Sequence, residues 1–338
     1  MTHDAMTRRV LQALSALVVV VAGVFFLVNY TEPESKVIDH HAFQVAIDEM
    51  RAGEDYYAAY DIGIREVYGP VVSFRDVRPP TLYTGLALLP AGSEHVAYAV
   101  MAVIGGIVAV AWATFPPSGV LVTIYLLTLA ISDGAAQYLY TELWIVPVAI
   151  AAVYTLDRGH GVAALILATF AFAIREQGIL LLGGIAVYLW TKRRHRVRAA
   201  GFVALATAGY LLHVLAIQPY LDPNSGVHTP LNLGWDPIDS LLRTLGVGIG
   251  AGWVGLLLLV GAVSWTRRHR LLLALGPFLA IPLLTVWANR PYWGVMVMPL
   301  SIVLSVDLIW ELVRDRNREP HTVAAATNEQ PGWSHADG

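Results

Sequence analysis

The chain has no cysteine. Disulfides and thiolate metal sites are therefore excluded. It is also poor in charge. Only 14% of its 338 residues are Asp, Glu, Lys or Arg, where a soluble domain carries about a quarter. The net charge of −3 leaves no basic excess for a nucleic-acid partner. What is abundant is apolar residue, 56% of the chain. These residues fall in blocks of roughly 15 to 20, the length that crosses a bilayer core. Composition and spacing thus predict an all-α, polytopic membrane helix bundle.

Arg8 and Arg9 precede an apolar run from Val10 to Val28. That run is too long for a secretion-signal core and no small-residue cleavage site follows it, so it reads as an uncleaved first span. Nine further spans are predicted over 95–114, 118–132, 142–156, 161–174, 178–190, 199–217, 246–265, 271–288 and 293–313. The boundary shared by the short segments 161–174 and 178–190 is the least defined. Clusters at Arg8-Arg9, Lys192 to Arg196, Arg267 to Arg270 and Arg314, Arg316, Arg318 all fall on one side of this scheme. The positive-inside rule makes that side cytoplasmic and puts both termini there, in a multi-pass protein of the plasma membrane. Outer loops then occupy 29–94 and 218–245. Within the first, Pro79 to Pro90 is too short to span and is placed as an outer juxtamembrane helix. Residues 1–313 form one transmembrane domain, and the polar tail 314–338 is expected to be disordered. No internal repeat is present.

Ionisable residues in so apolar a chain need a reason, and many fall at the outer face. The first outer loop holds Asp39, His41, Glu66 and Arg78; later ones hold Asp133, Glu142, Arg175, Glu176 and Arg290. Phe43, Ala46, Ile47 and Met50 follow helical spacing, so 40–52 reads as an amphipathic helix that Gly53 ends. Asp39 precedes it at an N-cap position. It either caps that helix or acts as a base, and the two roles are compatible. Arg78 opens a Pro-Pro helix start and suits either a lipid headgroup or a substrate. Arg175-Glu176-Gln177 breaks the stretch Val162 to Trp190. Its bland reading is an intramolecular ion pair; its functional reading is a polar cavity. Arg290 can grip a phosphate with its fork of donors or snorkel to headgroups. His40 and His41 point about 100° apart on a helix and make poor co-ligands, so no metal site and no cofactor is expected.

The order of these elements resembles the GT-C superfamily of integral membrane glycosyltransferases. The resemblance rests on Val37-Ile38-Asp39-His40-His41-Ala42-Phe43 after the first span, Met50 to Tyr57, and Arg78-Pro79-Pro80-Thr81-Leu82-Tyr83. Thr141-Glu142-Leu143-Trp144, Arg175-Glu176-Gln177 and the Lys192 cluster are similar to the paired helices of polyprenyl-phosphate-mannose-dependent mannosyltransferases. Asn289-Arg290-Pro291-Tyr292 with Pro299 is similar to an Arg-Tyr element near the last core helix. Two departures stand out. Asp39 is followed by His40 rather than Glu, and Arg290 is separated from Tyr292 by Pro291.

The resemblance covers residues 8 to 313 and implies inverting sugar transfer from a polyprenyl-phosphate donor to a lipid, glycan or protein hydroxyl at the outer face. It implies Asp39 as base, with Asp133 and Glu142 as acids that orient the acceptor. Arg290, Arg175 and Arg78 become phosphate ligands, with Glu176, Tyr292 and His41 as further substrate contacts. The apolar helices would hold the prenyl tail among membrane lipids. The loop from Pro219 to Asp239, with His228 and Trp235, is where acceptor contacts are expected. A transporter or lipid flippase, or a non-catalytic polyprenyl-phosphate-binding scaffold, fits the same helix count, although ionisable groups near the outer interface suit a midplane transport site poorly.

Overall fold

The computed structural model describes residues 3–30, 38–69, 77–130, 139–193, 195–221, 270–279 and 296–327. Among them the chain is helical and contains no strand. Three helices are long and apolar enough to cross a membrane. They are α1 (His3–Asn29), and, further along, Glu94–Trp112 and Arg196–Ile217. Between α1 and the second of these lie three amphipathic pieces, α2 (Ile38–Ala52), α3 (Tyr56–Tyr68) and α4 (Thr81–Ala87). The long apolar helices are numbered α5 (Glu94–Trp112) and α10 (Arg196–Ile217).

Four helices separate α5 from α10: α6 (Pro117–Leu129), α7 (Thr141–Asp157), α8 (Gly161–Ile174) and α9 (Gly178–Thr191). At 1.5 Å per residue, the 14 residues of α8 and of α9 reach about 21 Å, short of a core about 30 Å thick. The described residues thus hold three helices of spanning length and several shorter apolar ones. The segment 246–265 lies outside them. So does 280–288, leaving α11 (Leu271–Leu279) as the described part of the ninth predicted span. The last helix among the described residues is α12 (Met298–Thr327).

The core is built on α7. Nearly every side chain from Thr141 to Val153 is buried, and α7 packs against both α5 and α8. Pro147 sits inside this helix. Its ring lies against Gly105 of α5, where any Cβ would collide with it. Between α9 and α11, a Cβ on Gly184 would strike the Ala274 carbonyl oxygen. Small residues at crossings let backbones approach closely, the packing that replaces hydrophobic burial among helices in lipid. The outer faces of α1 and α10 remain apolar, with Leu17, Val21, Phe25, Leu205, Leu212 and Leu215 exposed.

Charged groups gather at two ends of the bundle among the described residues. One end holds Asp157, whose Oδ1 pairs with Arg270 at 3.0 Å and whose Oδ2 accepts from Trp112 Nε1 at 3.2 Å. Arg8 Nη2 donates to the Ala113 carbonyl there. Asp307 of α12, 1% exposed, accepts from the amides of Thr114 and Phe115, both at 2.8 Å.

The other end carries α2, α3 and α4. The apolar stripe of α2 is buried at Phe43, Ala46 and Ile47, as its spacing predicts. Gly53 ends the helix with φ +110°, a conformation that glycine tolerates best. The helix begins at Ile38, so Asp39 falls inside its first turn rather than at the N-cap. The helix α3 was not expected. Its start signal is Asp55, whose Oδ1 accepts from the amides of Tyr57 and Ala58. Gly63 lets α3 lie on α2, because a Cβ there would meet the Ala42 carbonyl. Arg51 ties this hairpin down. Its Nη2 donates to Glu94 Oε1 at 2.6 Å and to the Leu86 and Leu89 carbonyls.

Candidate functional site

Arg175 is fully buried, at 0% exposure, where α8 ends and before α9 starts. Buried guanidinium donors must be answered by acceptors. Glu142, in the first turn of α7, supplies one: its Oε1 lies 2.7 Å from Arg175 Nη2. Thr141 Oγ1 donates to the second Glu142 oxygen at 3.2 Å. The sequence had paired Arg175 with its neighbour Glu176. That contact is the longer one, 3.6 Å from Nε, beyond hydrogen-bond range.

Arg78 enters the same cluster from the segment before α4. Its Nη1 stands 4.0 Å from Glu176 Oε1. Charges therefore alternate in space: Glu142, Arg175, Glu176, Arg78. Burial works against the charge on Arg78, but Tyr60, Glu142 and Glu176 outweigh it and hold its pKa above the usual arginine value. The two inner members, Arg175 and Glu142, have side chains only 1% and 4% exposed. The outer members, Arg78 and Glu176, are open to 15% and 35%. Access from outside is thus through Arg78 and Glu176.

One segment in this cluster is not satisfied by its surroundings. Among the described residues, Arg175 Nε and Nη1 make no hydrogen bond, and neither do the buried Glu176 Oε2 and Gln177 Oε1. Buried polar groups are paired in the great majority of cases. Two donor atoms and two acceptor atoms left over within three consecutive residues suit a ligand that offers both anionic oxygen and hydroxyl.

An aromatic wall backs the cluster. Phe43 of α2 meets Tyr60, Tyr83 and Tyr140 with ring centroids 6.1, 5.1 and 6.2 Å away. Tyr56 donates to the Arg78 carbonyl at 2.5 Å and Tyr83 to the Leu139 carbonyl at 3.1 Å. Burial, reinforced by neighbouring phenols, raises both of these tyrosines well above their ordinary pKa, so they remain hydroxyl donors. These bonds hold the segment bearing Arg78 against α3 and the start of α7.

Of the residues proposed from sequence, the structure brings together Arg78, Glu142, Arg175 and Glu176. His41 is not among them. It is exposed on the α2–α3 hairpin, 3.4 Å from Glu66. The backbone of Asp39 lies in α2, but its side chain is outside the described residues, as are Asp133, Arg290, Tyr292, His228 and Trp235. Sequence reasoning missed Gln177, Tyr57 and His213. Gln177 adjoins a charged pair already noted. Tyr57 and His213 are 156 residues apart, and no local pattern joins them. Set against known proteins, the chain matches no family model, no curated protein and no solved structure.

Proposed function

We propose that the protein is an integral membrane glycosyltransferase. It would take a sugar from a polyprenyl-phosphate donor and transfer it, with inversion, to an acceptor hydroxyl at the outer face. The observation that supports this best is the unsatisfied segment Arg175-Glu176-Gln177 beside Arg78. Donor and acceptor together complement it: phosphate oxygen accepts from arginine, and sugar hydroxyls of the bound pair donate to Glu176 and Gln177. The exposed apolar faces of α1 and α10 offer surface for a prenyl chain.

In the reaction, the acceptor oxygen bonds to the anomeric carbon as the carbon–oxygen bond to phosphate breaks. The hydroxyl proton passes to a carboxylate, for which Asp39 is the sequence candidate. Charge growing on the departing polyprenyl phosphate is met by Arg78 and Arg175, already fixed before the substrate arrives. Inversion needs no covalent intermediate, so no nucleophilic side chain is required. Arg290 is a further phosphate candidate from the last outer boundary. The GT-C resemblance, the ten spans and the cytoplasmic termini belong to this same reading.

The test is release of free polyprenyl phosphate from a panel of polyprenyl-phosphate sugars, with host glycolipids as acceptors. Wild type should release it from one donor, and Asp39→Asn should not. Undiminished release by Asp39→Asn removes that residue from the base role. No release from any donor with any acceptor sinks the transferase reading.

A further inference from the structure

Beyond the charged cluster, a row of rings runs along the junction of α3 and the end of α10. Tyr220 lies against Tyr57 with centroids 6.3 Å apart and planes 22° from parallel. Tyr57 meets His213 at 5.7 Å, and His213 meets Tyr210 at 6.3 Å. Tyr210 reaches Phe172 of α8 at 6.0 Å. The Tyr57 hydroxyl and His213 Nδ1 are hydrogen-bonded at 3.0 Å. Arg65 reinforces the junction by donating to the Tyr220 carbonyl at 3.1 Å.

This row ends at the charged cluster. Phe172, which meets Tyr210, sits in the last turn of α8, directly before Arg175 and Glu176. Glu176 Oε2 is the buried acceptor that makes no hydrogen bond among the described residues. An aromatic ledge that leads to an unsatisfied carboxylate has two properties at once. Ring faces receive the apolar C–H face of a sugar, and the carboxylate receives a hydroxyl proton in a hydrogen bond.

Tyrosines at a membrane boundary also serve as interfacial anchors. Anchors direct their hydroxyls to headgroups. Here Tyr57 directs its hydroxyl inward to His213, which is 8% exposed. The imidazole is thus part of a built surface rather than a group facing lipid.

We propose that Tyr57, Tyr210, His213 and Tyr220 form a carbohydrate subsite in which a ring hydroxyl of the acceptor is held by Glu176. This rests on the transferase reading and extends it by naming the acceptor as a saccharide and giving its place. The donor phosphate then lies on the Arg78 and Arg175 side of Glu176, and the acceptor on the ledge side. Glu176 serves here as a positioning residue for the attacking sugar.

The test is binding, not turnover. Methyl α-mannopyranoside, methyl α-glucopyranoside and methyl β-galactopyranoside are titrated against the full chain in detergent by saturation-transfer NMR. Farnesyl phosphate is titrated separately by calorimetry. At least one glycoside should bind wild type, with Tyr220→Ala and Glu176→Gln each weakening it about ten-fold. Tyr220→Ala should leave farnesyl phosphate affinity within two-fold. In case a variant loses its fold, a diazirine derivative of the same glycoside is crosslinked to wild type and mapped by mass spectrometry. Labelling should fall on peptides carrying Tyr57, Tyr210 or Tyr220. Equal glycoside binding by folded variants overturns the subsite, as does labelling elsewhere, or farnesyl phosphate binding with no glycoside binding. Glycoside binding at the ledge without farnesyl phosphate binding leaves the subsite standing and removes the donor proposal instead.

Discussion

At one end of the bundle, Asp307 uses one carboxylate oxygen for the Thr114 amide and the other for the Phe115 amide. At the other end, Arg175 is just as buried but has one nitrogen facing Glu142 and two with no hydrogen bond among the described residues. Both are charges in an apolar chain. Asp307 is matched by fixed backbone groups, so its work is holding α12 against the start of α6. Arg175 is matched only in part, and its remaining atoms sit beside Arg78 and Glu176, which open outward. On the transferase reading proposed above, the contrast is between a charge that serves the fold and one that meets a ligand.

The largest effects should come from taking this contrast apart. Arg175→Met leaves Glu142 charged and buried without its cation, a loss of about 3–5 kcal/mol. Arg175→Met with Glu142→Leu should recover most of that stability, because both charges leave together. Polyprenyl-phosphate release should stay absent in the double variant. Thermal midpoints in detergent, measured beside the release assay, give both answers. A double variant that is stable and still active would reduce Arg175 to an ordinary structural ion pair.

Asp307→Ala should fall next in size. It removes the acceptor from two partly buried amides and costs about 3 kcal/mol. Activity per folded molecule should not change, since Asp307 bonds to Thr114 and Phe115 at the end of the bundle away from the Arg175 cluster. Lost release at an unchanged midpoint would erase the distinction between the two ends.

How far all this could be read from sequence follows the same division. Local signals were readable. The stripe of Phe43, Ala46, Ile47 and Met50 gave α2, and Pro79-Pro80 gave the start of α4. Asp55 is an equally plain cap signal, and it starts α3. The Arg175 break was visible because three polar residues interrupt an apolar run. Its true partner, Glu142, was not, because helix crossings such as Gly105 on Pro147 decide which chain ends meet. An adjacent carboxylate is the natural guess, but neighbouring side chains on a helix end diverge, whereas α7 brings Glu142 in from the side. Tyr57 and His213 were invisible for that reason. Asp307 is an acid inside the predicted span 293–313 that the sequence reading did not single out, and backbone amides that need an acceptor leave no trace in composition.

A smaller effect sharpens the comparison from α2, at the edge of the site end. His40 is 8% exposed and packed near Glu94. Burial, helped by the adjacent His41, lowers its pKa from 6.5 to about 4, with Glu94 pulling weakly the other way. The unfolded chain therefore binds this proton near pH 6.5, while the folded chain resists it until about pH 4. Stability should be level above pH 7, fall as pH drops through that window, and level again below it. The fall is no more than about 3 kcal/mol, at 1.36 kcal/mol per unit. Carboxylates titrate over the same range, so the informative quantity is the difference between wild type and His40→Gln. Midpoints from pH 7.5 to 4.5 should decline less steeply in the variant. Parallel curves would mean that His40 is already charged, or reached by water, in the folded protein.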